Sequence, residues 1–277
     1  MNDGFRRSFI LARIQASLLL SRLRQKIVGP HASHVLTDSF NGKLLVPAGD
    51  FAVGRRLAFD GEYDRAHIEK LLQLVNEQSN VLFVGAHVGS LVIPISKAVR
   101  EVVAIEANPA IFDTLLMNLA INHCQNVRAL NVAASDKSEK VRFIASVHNS
   151  GGSKIAPANL RREFVYDHPK TIEVEAAPLD QLLPDFNPSH IVMDVEGAEA
   201  RAMAGMGRLL AASRVFIVEF LPNHIENVAG ISCHDFLKLI PFERIQLLDE
   251  PEEQHIVEAA RSRHYYGGAD LLCTHSV

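Results

Sequence analysis

The chain has 277 residues, of which 48% are hydrophobic and 22% charged, and its formal net charge is −4. This ordinary globular balance excludes disorder over the whole length, and the slight acidity gives no global field toward nucleic acid or an anionic surface. Cys124, Cys233 and Cys273 are odd in number and far apart, which argues against a disulfide framework or a cysteine-rich zinc site and suits a reducing, cytoplasmic compartment.

Residues 5–28 read as a helix, with Ile10, Ile14 and Leu18 spaced by four and Leu19, Leu23 and Ile27 likewise. Arg6, Arg7, Arg13, Arg22, Arg24 and Lys26 lie there with no acid. Such a helix packs on the domain or on a second subunit, attaches to an anionic membrane face, or serves as a targeting segment. No run of 18 apolar residues exists, so no spanning helix is expected. Residues 34–60 read as short extended pieces broken by Asn41-Gly42 and by Pro47 to Asp50. The sequence thus divides into an N-terminal helix and irregular, extended segment over 1–60, packed on a main domain over 61–277.

Residues 61–79 look helical, with Ile68, Leu71, Leu72 and Val75 on one face. Val81–Val84 is then a short apolar run, followed by a glycine turn and a helical stretch to about Arg100. Val102–Ile105, Val127–Val132, Ile191–Met193 and Val215–Val218 are further apolar runs, with a helix over Pro109–Asn122. Runs of this kind separated by helices indicate an α/β fold with parallel strands covered on both faces. Val141–Ala145 and Ile172–Ala176 read as extra strands flanking a polar loop, and Ile245–Leu248 and Asp270–Thr274 as two terminal strands. In open sheets of this type ligands sit beyond the carboxyl ends of the strands, so the residues after each strand are the candidates for chemistry.

The first such turn is Val84-Gly85-Ala86-His87-Val88-Gly89-Ser90. Gly85 and Gly89 allow a tight turn and close backbone approach to a ligand. Glu106 ends the second strand, where an acid accepts hydrogen bonds from both hydroxyls of a ribose. Strand, turn, helix, strand and acid together point to a nucleoside ligand. Dinucleotide enzymes and methyltransferases both use this arrangement; the missing middle glycine, with Ala86 and His87 in its place, disfavours a dinucleotide.

The order of five pieces resembles the FkbM family of methyltransferases: Gly61-Glu62-Tyr63-Asp64, the glycine turn, Ala104-Ile105-Glu106-Ala107-Asn108-Pro109, Asn131-Val132-Ala133-Ala134-Ser135-Asp136, and Met193-Asp194-Val195-Glu196-Gly197-Ala198-Glu199. The resemblance runs from about Gly61 to Phe220. It implies a Rossmann-like class I methyltransferase fold with seven strands in the order 3-2-1-4-5-7-6, the last antiparallel, with helices on both faces. It also implies S-adenosyl-L-methionine as cofactor and methylation of oxygen, commonly on sugars or small metabolites. Gly85, His87, Gly89, Glu106, Ala133, Ala134 and Asp194 become the cofactor-binding candidates. The family usually has aspartate where this chain has Phe83 and asparagine where it has His87. Those departures motivate the alternative of a non-catalytic module with a methyltransferase fold.

Asp194 and Glu196 follow the fourth strand, beside the expected methyl group. They are catalytic candidates because an alcohol acceptor needs a base. If the strand continued, they would point to opposite sides. His224, in the loop after strand five, is the histidine candidate for the same task. No clear third ligand joins Asp194 and Glu196, so no metal is expected. Glu219 is read as lining the pocket or pairing with a cation. The loop over 148–153 reads as a cover over the adenine or substrate or as a plain hairpin turn, and Tyr265-Tyr266-Gly267-Gly268 as a wall of the acceptor pocket. The expected partner is a small-molecule or glycan acceptor, with no specific nucleic acid, and a membrane or dimer contact through residues 5–28.

Overall fold

A computed structural model describes residues 15–16, 19–157, 169–262 and 268–275. Of the helix expected over 5–28, residues 15–16 and 19–28 are helical; the others lie outside the described residues. We label 19–28 α1. A hairpin follows, β1 (His34–Ser39) and β2 (Gly42–Pro47), antiparallel with Ser39 opposite Gly42. Helices α2 (Val53–Phe59) and α3 (Arg65–Leu74) lead into β3 (Asn80–Val84), α4 (Val92–Ser96), β4 (Glu101–Glu106), α5 (Pro109–Ile121) and β5 (Val127–Asn131). Strands β6 (Ala133–Ala134), β7 (Glu139–Ala145), β8 (Lys154–Ile155) and β9 (Lys170–Ala177) come next. The remainder is α6 (Leu179–Leu182), β10 (His190–Met193), α7 (Glu199–Ala204), α8 (Gly207–Ala212), β11 (Val215–Phe220), α9 (Pro222–His224), α10 (Cys233–Leu239), β12 (Arg244–Leu247), α11 (Ile256–Ser262) and β13 (Ala269–Thr274).

The main sheet has seven strands in the order β12-β13-β11-β10-β3-β4-β5. Counted within this sheet, that is sixth, seventh, fifth, fourth, first, second, third. The pairs of β3 with β4 and β10, of β4 with β5 and of β10 with β11 are parallel; β13 runs antiparallel to both β11 and β12. Because side chains alternate across a strand, Leu82 and Val84 enter one core with Val103, Ile191, Phe216 and the α7–α8 residues Met203 and Leu209. Val81 and Phe83 enter the other, with Val102, Val192, Ile217 and residues from α3 and α5 such as Ile68 and Leu115. Helices therefore cover both faces. The extra strands foreseen near 141 and 172 pair antiparallel, as β7 and β9, in a separate four-stranded sheet ordered β6-β9-β7-β8.

The hairpin joins the second core through Leu44 and Val46, as does α2 through Val53 and Leu57. Its free edge is satisfied by two side-chain amides, one on α5 and one just past its end. Leu45 N donates to Asn118 Oδ1 at 2.7 Å and Asn118 Nδ2 donates to Leu45 O at 2.9 Å. Lys43 N and O exchange the same bonds with Asn122, at 3.1 and 2.7 Å. Four helical residues rise about 6 Å and two strand residues nearly 7 Å, so one turn of α5 matches one repeat of the strand edge.

Three boundaries differ from the sequence reading. Val53–Phe59, expected to be extended, is helical, because Asp50 Oδ1 accepts from the amides of Ala52 and Gly54 at its entrance, at 2.9 and 3.0 Å. Helix α3 stops at Leu74, where Val75 turns extended. Helix α4 ends at Ser96 rather than near Arg100, whose amide bonds Ser79 O at 3.0 Å and leads the chain into β4. Among the described residues no helix is long and apolar enough to cross a membrane.

Candidate active site

A cavity of about 360 Å³ opens at the carboxyl ends of β3, β4, β10 and β11. It sits where the chain, having run outward from β3 to β5, returns to place β10 on the other side of β3. The turn after β3 forms one wall of it. Gly85 has φ +94, and a Cβ there would stand 1.8 Å from the carbonyl oxygen of Asp194. Only glycine lets the β3 and β10 tips approach this closely. His87 also adopts a positive φ, +50, and lines the cavity. Gly89 does not: its Cα faces Leu115 and Ile93, so its role is to seat the turn on α4 and α5.

Glu106 lines the cavity at the tip of β4. Its Oε2 accepts the His87 amide at 2.8 Å and its Oε1 the Asn108 amide at 2.7 Å. Burial pushes its carboxyl up to about 7, against the lowering effect of those amides. With about four lone-pair sites on a carboxylate, acceptor capacity remains for a ligand hydroxyl beside these amides. Ala133 and Ala134 line the wall beyond Glu106, buried where β6 pairs with β9. The Asn131 side chain instead ties strand tips together, donating to the carbonyls of Glu106 and Ala107 at 2.8 and 3.2 Å.

Asp194 and Glu196 both line the cavity. The strand ends at Met193 and the chain turns, with Glu196 at φ +56 and Gly197 at φ +102, so the alternation that would have separated them does not apply. Glu219, from the end of β11, completes a group of three carboxylates whose ligand atoms lie within 4.8 Å of one another. This third acid is the partner the sequence did not supply for Asp194 and Glu196. Desolvation first and then the charge of Glu196 raise Asp194, while desolvation and then the charge of Asp194 raise Glu219; Glu219 donates the hydrogen bond between them, which lowers Asp194 and raises Glu219 further. Glu219 Oε2 is buried without a hydrogen-bond partner. Glu196 behaves oppositely. Burial opposes its ionisation, but Lys154 Nζ at 3.3 Å and His224 Nδ1 at 2.9 Å outweigh it and hold the carboxyl at about 2. His224 is thus brought to Glu196 but not to the cavity wall.

Residues from three other segments join these. Asp64 and His67 line the cavity from the start of α3, and Asp270 from β13, where it stands opposite Glu219 in the ladder. Burial works against charge on His67, but Asp270 at 3.3 Å and Asp64 at 3.7 Å raise it to about 10. The loop over 148–153 does reach the cavity, through Asn149, Ser150, Gly151 and Ser153. Ser150 Oγ donates to Asp50 Oδ2 and lies 2.8 Å from His87 Nε2. A serine hydroxyl has one proton; with that proton on Asp50, Ser150 accepts from His87 Nε2–H, leaving Nδ1 as the unprotonated nitrogen. Burial lowers the His87 pKa, against Asp50 and Glu196, and favours this neutral ring. Asp50, His67 and Asp270 carry no local motif; only the register of β13 and the packing of the hairpin and α3 assemble them with Asp64. Of the tyrosine–glycine stretch before β13, residues 265–267 lie outside the described residues.

The profile of the methyltransferase FkbM domain matches residues 84–254. No curated protein matches the chain. Among solved structures, a methyltransferase FkbM from Methylobacillus flagellatus KT is similar at 15% identity over 72% of this chain and 44% of that one, with a TM-score of 0.45. A precorrin-6y C5,15-methyltransferase from Geobacter metallireducens GS-15 is similar at 12% identity over 81% of this chain and 94% of that one, at 0.45. Trm5 from Methanocaldococcus jannaschii in complex with adenosine is similar at 11% identity over 90% and 58%, at 0.45. The chain spans about half the length of the first and third of these structures. With its turn after β3, its acid at the tip of β4 and a domain match that covers well over half its length, the chain belongs to the FkbM methyltransferase family.

Proposed function

We propose that the protein transfers a methyl group from S-adenosyl-L-methionine to a hydroxyl of a sugar or small metabolite. The observation that carries this reading is the row of acids at the cavity floor: Asp194, Glu219 and Asp270 on adjacent strand tips, with Asp64 beside them. With Glu219 protonated and His67 charged between Asp64 and Asp270, this end still keeps a net negative charge, which suits a ligand end bearing a sulfonium and an ammonium and disfavours a pyrophosphate. It also supplies the acidity that Phe83 lacks. Glu106 fits the ribose hydroxyls, the turn at Gly85 to His87 the methionine side, and the Ala133–Ala134 wall the base. When bound, the cofactor supplies a methyl carbon attached to a positive sulfur.

The chain's own part is to orient the acceptor and take its proton. Asp194, raised to about 8 and facing the cavity, is the stronger base in its ionised form, so transfer should quicken as pH rises toward 8; Glu196, held at about 2 between Lys154 and His224, is a weak one and orients its neighbours. Glu219–H donating to Asp194 keeps that carboxylate in place. Metal is not needed for this scheme, and dialysis against EDTA is expected to leave cofactor affinity and turnover unchanged. A loss restored by Mg²⁺ or Mn²⁺ would assign Asp194, Glu196 and Glu219 to an ion.

The test is calorimetric titration with S-adenosylhomocysteine, followed by transfer of labelled methyl to a panel of hydroxylated acceptors. Saturable binding and label on oxygen support the reading. Absence of binding at millimolar ligand overturns it, and binding with no transfer to any acceptor favours the non-catalytic module, with Phe83 and His87 as its cause.

A further inference from the structure

Helix α1 is seated the wrong way round for a helix whose surroundings are water. Its polar side faces the domain: Ser21, 2% exposed, donates to Gly49 O and lies 3.0 Å from His148 Nδ1, Arg24 donates to Asp50 O at 3.0 Å, and Gln25 donates to Gly29 O and Ala32 O at 3.0 and 2.8 Å. Its apolar side faces outward, with Leu19, Leu20, Leu23 and Ile27 exposed by 68, 59, 52 and 78%. At 100° per residue these four fall within about a third of the helix circumference. Arg22 and Lys26, both exposed, form one edge of that stripe. Surface helices normally bury the apolar stripe and expose the polar one, and a contiguous exposed apolar patch marks a contact surface.

We propose that α1 is a docking surface for an anionic lipid bilayer, lying in the plane of the headgroups with Leu19, Leu20, Leu23 and Ile27 in the acyl boundary. Charge selects this occupant. Residues 15–28 contain cations and no acid, so packing the stripe against the same helix of a second copy would set cations against cations, whereas anionic headgroups answer Arg22 and Lys26. The same contacts tie the helix to the active site. His148, which Ser21 holds, immediately precedes Asn149 and Ser150 on the cavity wall. The proposal does not depend on the cofactor or the reaction.

The experiment is co-sedimentation of the full chain with vesicles of phosphatidylglycerol and phosphatidylethanolamine, and in parallel with vesicles of phosphatidylcholine alone. Sedimentation is expected with the anionic vesicles and to weaken as salt is raised. The triple variant Leu19→Ser, Leu23→Ser, Ile27→Ser should abolish it while keeping the wild-type circular dichroism and melting midpoint. Arg22→Gln with Lys26→Gln should weaken binding roughly fivefold for each cation removed. The proposal is overturned if the wild-type chain stays in the supernatant, if it binds phosphatidylcholine equally well, or if light scattering finds a dimer that the triple variant dissolves, which would assign the stripe to a second copy.

Discussion

At Gly85 one missing atom lets two strand tips meet. A Cβ at that position would lie 1.8 Å from the Asp194 carbonyl, and the φ of +94 is itself strained for any other residue. Gly85→Val is therefore expected to abolish S-adenosylhomocysteine binding in calorimetry. Glu106 acts by hydrogen bonding rather than by space. Glu106→Ala should weaken the same ligand by roughly 1.5–3 kcal/mol, at least tenfold in affinity, and unchanged affinity would refute the ribose assignment. Both residues were readable in the sequence because turn glycines and strand-end acids carry local signals. The pairing of Asp194 with Glu219 was not, because those two residues are 25 positions apart and meet only through the register of β10 with β11.

Among the elements, the segment from β2 to α2 does more than cover the sheet. Asp50, fully buried, accepts the amides of Ala52, Gly54 and Ser150 and the hydroxyl of Ser150. It thereby starts α2 and fastens the loop that carries Ser150 to His87. Asp50→Ala leaves these buried donors unanswered, at about 1–3 kcal/mol for each group that water cannot reach. A fall in unfolding free energy of about 3 kcal/mol is expected by urea titration, together with faster proteolysis in the loop over 148–153. The sequence offered this stretch only as turns between extended pieces. The helix at Val53–Phe59 was missed because its start is set by a carboxylate three positions before it, whose other oxygen is committed to Ser150.

For the molecule as a whole, buried carboxylates make stability fall with rising pH. Glu106 and Glu199 are each pushed by burial from 4.5 up to about 7. An acid raised in the folded state is protonated there while already ionised in the unfolded chain. Its contribution is full below pH 4.5 and is lost as pH rises through about 7. The ligand-free melting midpoint should therefore drop between pH 5 and 8, and Glu199→Gln, which keeps an oxygen for the Val195 and Gly197 amides, should flatten the slope. A midpoint rising over that range would contradict these shifts. Ligand acts in the other direction: S-adenosylhomocysteine at one hundred times its Kd should stabilise by about 2.7 kcal/mol, raising the midpoint by roughly 5–10 °C, and a nicotinamide dinucleotide should have no effect.

The sequence by itself determined the alternation of apolar runs and helices, hence the α/β class, and the turn, acid and Asp-Val-Glu-Gly segment that mark the family. Those are local patterns, written in residues that neighbour one another along the chain. The tertiary structure alone decided which acids share the cavity floor, because Asp64, Glu219 and Asp270 come together through strand order and register. It decided that Asp194 and Glu196 face the same space, because the backbone takes up a positive φ just after β10. It also decided the sense in which α1 is seated. The helical period identifies an apolar and a polar face, but only the hydrogen bonds of Ser21 and Arg24 to the domain fix which face it holds.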